Sequence, residues 1–473
     1  MDKKATSVIV VGGGPAGVSC AWFAAKTGAS VTLVDAHPTI GGCHRVKRVD
    51  GKFGEHGPRI YSTSYVCVHR LLEDMGLKFA DYFAPYEFGI SNIAKKNMDM
   101  LSFREKLAFG KAAIFGPEPI SVAEFCKRNN FSAESTDYLN RLCRLTDGAG
   151  SDRYPIKQLI DIVNSQSLYT LMQPSRALDR KFWPDVQAKL ASVGVKIFVS
   201  TVVTGIIVDS KERLAKGILM QDISGAKKLG DNPNVNIYSP NAGETKLFAD
   251  TIYMCIPPSA LLRTLGNRKM KKYFGVNKKW VRATKYERYI NVTFMWARDV
   301  MAGVKRVWGF PWTKWGVAFI VLTDTMRGEN FKTIISATPT KLPAKFNVDN
   351  YTSTEFATEI LNQIRISYDH LPEPDAVSVE IPEPFEDTAY VAAVGTLPMP
   401  PRGYIKNLFA LGPHNGHGEY TSMESAVSNV MHFFGEDCPK LWQLKHLLLI
   451  LIVIVSAIGG YILWKRRGQP GPS

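Results

Sequence analysis

The stretch "VIVVGGGPAGVSCAWFAAKTGASVTLVDA", Val8 to Ala36, decides the fold of this chain. Val8 to Val11 is an apolar run of strand length, Gly12-Gly13-Gly14-Pro15-Ala16-Gly17 fits the pattern G-x-G-x-x-G, and Val18 to Thr27 reads as the helix that the glycines open. Each glycine of the pattern answers its own demand: a tight turn at Gly12, close approach of backbone to a pyrophosphate at Gly14, and close packing of helix on strand at Gly17. A second strand, Val31 to Val34, ends at Asp35, 18 residues past Gly17, where a carboxylate accepts hydrogen bonds from ribose hydroxyls. Strand, glycines, helix, strand and acid in register predict a Rossmann-type α/β unit holding a dinucleotide. The acid argues against a 2'-phosphate at this position, and therefore against NADP.

The unit opens a chain of 473 residues, 45% of them hydrophobic, which is enough for a sizeable core spread over roughly two to three domains. Disorder and fibrous folds are excluded. The formal net charge of +15, from 58 Lys and Arg against 43 Asp and Glu, favours anionic surfaces. Its densest piece, "NRKMKKYFGVNKKWVRATK" (Asn267 to Lys285), carries eight basic residues and no acid, with Tyr273, Phe274 and Trp280 among them. It fits either a solvated helix face or a membrane interface; no nucleic-acid partner is expected. The seven cysteines, Cys20, Cys43, Cys67, Cys126, Cys143, Cys255 and Cys438, form no CxxC or zinc-like spacing and read as reduced thiols of a cytosol-facing body. No metal site is expected: His414 and His417, in "GPHNGHGE", fall short of a ligand pattern.

Leu447 to Trp464 runs for 18 residues without a charge, about 27 Å as a helix and close to the hydrocarbon thickness of a bilayer. Trp442 and Trp464 flank it and Lys465, Arg466 and Arg467 follow. The N-terminal "MDKKATSV" offers no apolar signal region. A C-terminal transmembrane anchor in the lipid bilayer, with the body in the cytosol, is the expectation.

FAD and NAD both use the Rossmann unit, and the stretch "GGCHRVKRVDGKFGEHGPRIYS" (Gly41 to Ser62) separates them. Its glycine doublet and its E-x-G-P-R element resemble those of the flavin-containing amine oxidase superfamily, which includes monoamine and polyamine oxidases, protoporphyrinogen oxidases and phytoene-type desaturases. Three later stretches continue the likeness: "GVKIFVSTVVTGI", "FADTIYMCIPPSALLRTL" and "NLFALGPHNGHGEYTSMESAV". The resemblance runs over residues 5 to 435 and implies non-covalent FAD bound by Gly12, Gly14, Pro15, Ala16, Gly17, Asp35, Gly42, Arg45, Gly57, Pro58 and Arg59. It further implies Val203 at the adenine through its backbone, Gly412 at the pyrophosphate, and a helix opening near Ser422 and Met423 whose positive end faces the flavin. Cys43 stands where the doublet is most often followed by Arg, and Pro413 where Glu, Asp or Asn usually follows the closing glycine.

The same resemblance implies a Rossmann-type FAD-binding domain interwoven with an α+β substrate domain: FAD pieces at 1–95, 185–265 and 395–435, a helical part at 96–184, a sheet part at 266–394, a linker at 436–446 and the span at 447–464. Phe103 to Ile162 has helical periodicity, with Ser121 as an N-cap, and "KYERYINVTFMW" alternates like a strand. There is no second dinucleotide pattern, so the electrons are expected from an organic donor and pass on to O2 or a quinone. Arg59 and Tyr420 are the candidate catalytic residues. Tyr420 lies two residues before the place of one wall of the amine oxidases' aromatic cage, which Ser422 occupies, and the strand ending at Trp296 lacks their lysine. The implied reaction is hydride transfer from an amine-type donor to FAD with O2 giving hydrogen peroxide. A desaturase or protoporphyrinogen oxidase-like enzyme on an apolar substrate, and a non-catalytic flavin-binding membrane scaffold, remain as alternatives. The basic flank after Trp464 favours the mitochondrial outer membrane over the endoplasmic reticulum.

Overall fold

The computed structural model describes residues 5–439 apart from 50, 56, 58, 87–88, 91–100, 117, 148, 225–242, 285, 288–289, 303–306, 309–312, 323–328, 342–351, 381–388, 391–393 and 417–421. The opening stretch forms strand Ser7–Val11, helix Pro15–Lys26 and strand Ser30–Val34. The helix starts three residues before the expected Val18, because Pro15, with its fixed φ and missing N–H, suits the first helical turn.

These two strands are the centre of a five-stranded parallel sheet in the order Leu408–Ala410, Thr251–Met254, Ser7–Val11, Ser30–Val34, Lys196–Phe198. Every pairing is parallel, so the strands come from chain segments far apart. Both faces of such a sheet must be covered. On one side a core of Val8, Val10, Leu33, Trp22, Phe23 and Val430 joins helix Pro15–Lys26 to helices Val66–Asp74, Phe182–Ser192 and Met423–Phe434. On the other, Ile9, Val11, Val34 and Ile252 pack against the antiparallel sheet Thr201–Asp209, Leu214–Asp222, Thr245–Phe248 and against helix Pro258–Phe274.

A separate four-stranded antiparallel sheet has the order Val317–Val321, Thr333–Pro339, Asn291–Trp296, Ala376–Glu380. The alternating stretch "INVTFMW" forms the strand Asn291–Trp296, and all six of its residues are buried. Val292, Phe294 and Trp296 pack with helix Ser353–Arg365. The alternate face, Asn291, Thr293 and Met295, is covered as well, so its polarity marks buried hydrogen bonding and not solvent. A third core gathers helices Val122–Arg128, Ala133–Asp147 and Ile156–Leu168 into a lobe. Ser121 caps the first of them, accepting from Glu124 N.

A further expectation is corrected. Cys67 and Cys438, 371 residues apart, form a disulfide with a Cα–Cα distance of 5.2 Å; they are not reduced thiols. Helix Met423–Phe434 packs beside helix Val66–Asp74, and that packing, invisible to local spacing, brings the two together. In the basic stretch, Tyr273 and Phe274 belong to the core beneath the parallel sheet and Trp280 packs half-buried against it, while Arg268, Lys269, Lys271, Lys272, Lys278, Lys279 and Arg282 are exposed. Among the described residues no helix is long and apolar enough to cross a membrane. The expected span 447–464 lies outside the described residues.

Candidate functional site: a dinucleotide cradle joined to a buried polar sheet

The glycines of the opening turn divide by what requires them. Gly12 has φ +102°, and a Cβ there would sit 2.4 Å from the carbonyl oxygen of Cys255; at Gly17 it would sit 1.7 Å from the carbonyl oxygen of Gly12. The protein's own backbone forbids side chains at both. At Gly14 the nearest atom to a Cβ is the Gly42 Cα at 3.6 Å, an ordinary contact, and φ is −74°. Nothing in the polypeptide demands glycine at this position, whereas a pyrophosphate approaching the backbone would. Gly14 is also the N-cap of helix Pro15–Lys26 and supplies no side-chain cap, which leaves the positive end of the helix for an anion.

Asp35 is buried and accepts from the Gly13 N–H with one oxygen, and from the His37 N–H (2.7 Å) and ring Nδ1 (2.9 Å) with the other. Burial pushes its pKa up, but the His37 hydrogen bond and charge and the two backbone donors outweigh that, and the carboxyl stays below its ordinary range. The acid is therefore ionised and fixed at the end of its strand, with acceptor capacity left for a ribose hydroxyl. His37, two residues on, is a partner that the fingerprint does not specify.

The loop after the glycine doublet closes over the turn. Gly41 has φ +124°, and a Cβ on it would meet the Trp183 indole nitrogen at 2.7 Å; Gly42 (φ +55°) faces Gly14. Arg45 is buried, with Nε donating to the Gly42 carbonyl at 3.0 Å, so it braces the loop. Arg59 donates from Nη2 to the Cys43 carbonyl, with Nη1 3.5 Å from His44 Nδ1. Burial works against its charge, while Cys43, Tyr61 and Glu55 raise its pKa further. Gly57 is buried beside it; Pro58 lies outside the described residues.

Glu55, which the E-x-G-P-R pattern contains but does not assign, is 7% exposed. Burial drives its carboxyl from 4.5 to about 7, against the charge of Arg59 and a hydrogen bond with Ser336. It thereby reaches the polar face of the four-stranded sheet, where Thr293 stands opposite both Ser336 and Ser378, and Asn291 opposite Glu380. All five are buried. Ser336 Oγ donates to Asn291 Oδ1 (3.1 Å) and Asn291 Nδ2 to Thr293 Oγ1 (3.2 Å). Sequence reasoning missed this group because its members come from three strands and share no spacing; an unusually polar pattern on strands otherwise rich in Ile, Val and Phe is the signal it carried.

In the closing motif both backbone groups of Gly412 have partners within the protein. The Gly412 N–H donates to Asn415 Oδ1 (2.8 Å) and its carbonyl accepts from Asn429 Nδ2 (2.8 Å), so the Gly412 amide is spent within the protein. A Cβ on Gly412 would meet the His414 ring at 2.8 Å. His414 is buried, and desolvation lowers its pKa to about 4, which keeps the ring neutral. Helix Met423–Phe434 does open at Ser422, whose side chain accepts from the Ser425 N–H while Ser425 Oγ accepts from the Ser422 N–H. Met423 is buried. Glu424 in its first turn caps the neighbouring helix, accepting from Cys67 N (2.7 Å) and Val68 N (3.0 Å). Val203 lies on strand Thr201–Asp209, paired with Met220 just before a bulge. Tyr420 and His417 lie outside the described residues. No cluster of metal-ligating side chains occurs among the described residues.

Known proteins agree with this architecture. Residues 10–75 match the family described as "NAD(P)-binding Rossmann-like domain". An L-amino acid oxidase of Crotalus durissus cumanensis is 32% identical over 92 residues, 19% of this chain and 18% of that protein; the match thus spans under a fifth of the curated relative's length. Among solved structures, an oxidoreductase from Methanosarcina mazei superimposes with a TM-score of 0.63 at 14% identity, covering 91% of this chain and 100% of that one. Cyclohexylamine oxidase from Brevibacterium oxydans gives 0.63 at 14%, covering 91% and 98%. The fold is shared with these solved structures over 91% of this chain.

Proposed function

We propose that this chain is an FAD-dependent oxidoreductase that removes a hydride from the carbon beside the nitrogen of a small amine-type donor and passes the electrons to O2, giving hydrogen peroxide. The observation that carries the reading is the link from the cradle to the polar sheet: Arg59 donates to the Cys43 carbonyl, its charge acts on Glu55, and Glu55 hydrogen-bonds with Ser336. FAD would supply the hydride-accepting chemistry. Gly12 to Gly17, Asp35 and the loop from Gly41 to Arg45 are the residues that would hold it, and Gly14 is open to it without a clash.

The chain's own part is positioning and electrostatics. Arg59 holds the carbonyl of the loop that lies over the turn, fixing its orientation. Glu55, with a pKa near neutrality, takes up or gives a proton within the site while Ser336 and Arg59 hold it in place. Buried carboxylates beside hydroxyls and an amide suit a polar, nitrogen-bearing donor better than a hydrocarbon. The charge-free stretch 447–464 would keep the enzyme at a membrane, with the outer mitochondrial membrane favoured by its basic flank.

The test is anaerobic titration of the purified full-length protein with monoamines, polyamines, amino acids and protoporphyrinogen while the oxidised-flavin absorbance is followed. Bleaching by an amine supports the reading. Bleaching by protoporphyrinogen alone assigns the alternative apolar substrate, and a flavin-loaded protein that no donor reduces assigns a non-catalytic scaffold.

A further inference from the structure

Helix Phe103–Phe115, "FREKLAFGKAAIF", is turned the wrong way round for a protein that meets only water. Its capping box is complete: Ser102 Oγ accepts from Glu105 N, and Glu105 returns to Ser102 N at 2.6 Å. Glu105 is also its only acidic residue, and it points inward, accepting from Ser132 N (2.7 Å) and Ser135 Oγ (2.9 Å). Ala108, Phe109, Ala112 and Ala113 pack on the helical lobe. The inner face and the N-terminus are thus fully used, and the helix is firmly held.

The opposite face is apolar. Phe103 is 83% exposed and Leu107 63%, while Phe115, also exposed, lies about 120° round the helix from Phe103 and outside this face. At about 100° per residue, Phe103, Leu107, Gly110 and Ile114 fall in one narrow stripe. Lys106 borders it on one side and Arg104 and Lys111 on the other, all three exposed. Isolated exposed apolar residues are ordinary, but two large ones one turn apart on one helix, rimmed by cations and with the acid turned away, are not.

We infer that this helix lies on the surface of an anionic bilayer, its apolar stripe among the acyl chains and its three cations at the headgroups. Charge complementarity selects this occupant: the rim is uniformly basic on a chain of net charge +15, which disfavours a second copy of the same surface. The contact is separate from the stretch 447–464 and does not depend on the oxidase reading.

Hydrogen exchange of the full-length protein tests it, with and without vesicles of phosphatidylcholine containing phosphatidylserine. Docking is expected to slow the amides of 103–115 by about tenfold, since the helix must leave the lipid before it opens. The double variant Phe103→Ser, Leu107→Ser, which touches only exposed positions, is expected to lose that slowing and keep its melting temperature. Unchanged exchange in 103–115 on a vesicle-bound protein overturns the inference, leaving the apolar tail as the attachment. So does protection that rises with protein concentration in the absence of vesicles, which would mean a second copy, and so does equal slowing on phosphatidylcholine alone.

Discussion

The dinucleotide cradle and the polar face of the four-stranded sheet are both buried, both specific and both parts of one site, yet they are built by opposite means. The cradle is backbone: a turn, a helix end and a loop shaped by glycines whose missing side chains are the specification. The sheet face is side chain: Asn291, Thr293, Ser336, Ser378 and Glu380, delivered by the register of three strands. Backbone sites leave their signature in local spacing, because the chain must turn within a few residues. Side-chain sites on sheets leave almost none, because the partners are joined only by pairing.

The sharpest way to break this contrast is within the cradle itself. Gly17→Ala places a Cβ 1.7 Å from a backbone oxygen and is expected to cost upwards of about 4 kcal/mol, enough to prevent folding. Gly14→Ala meets only an ordinary contact and is expected to leave the melting temperature of the cofactor-free protein within about 2 °C. Its loss appears instead as FAD affinity weakened by about a hundredfold, or about 2.7 kcal/mol. Equal thermal loss in both variants would mean that the fold, and not a ligand, requires Gly14.

The disulfide comes next, since it ties the helix at the cradle's back to the end of the chain's last described helix. Cys438→Ser is expected to lower stability by about 2–4 kcal/mol, read by denaturant unfolding under non-reducing conditions. Peptide mapping that finds both thiols free in the native protein would remove this brace.

On the sheet side, Glu55 gives a pH signature. Its pKa is raised in the folded state, from 4.5 to about 7, so the native protein holds a proton that the unfolded chain has already released. Stability is therefore greatest at low pH for this group and falls as pH rises from 4.5 through 7, by about 3 kcal/mol in all. Glu55→Gln is expected to flatten that part of the profile of melting temperature against pH. A slope that survives the substitution would assign the effect elsewhere.

The smallest effect belongs to His37. His37→Ala removes one hydrogen bond and the charge that hold Asp35 ionised, and is expected to weaken FAD binding by about fivefold, near 1 kcal/mol. Tighter binding would mean that His37 competes with the ribose for the carboxylate.

Much of the fold was legible for the reason the contrast gives. The opening strands, the glycine turn, Asp35 and the Ser121 cap all rest on neighbours in sequence, and the helix beginning at Ser422 and Met423 on the motif resemblance. Glu55, Asn415, Asn429 and the Cys67–Cys438 pair depend on tertiary proximity, and nothing in their spacing announces them. The alternation from Asn291 to Trp296 marked the strand but not its burial, because period-two polarity looks the same whether the polar side meets water or a buried network. At Gly412 a Cβ would meet the His414 ring at 2.8 Å, and its amide serves Asn415.

The central claim is that Gly14 is glycine for the sake of a bound FAD. The direct measurement is the flavin content of the purified full-length protein and of Gly14→Ala, by absorbance after release of the cofactor, alongside the melting curve of each. Equimolar FAD in the parent and its loss from a variant that still folds cooperatively is the expected result. A parent protein that binds no FAD when the cofactor is supplied in excess, or a variant that retains its full complement, would contradict the account.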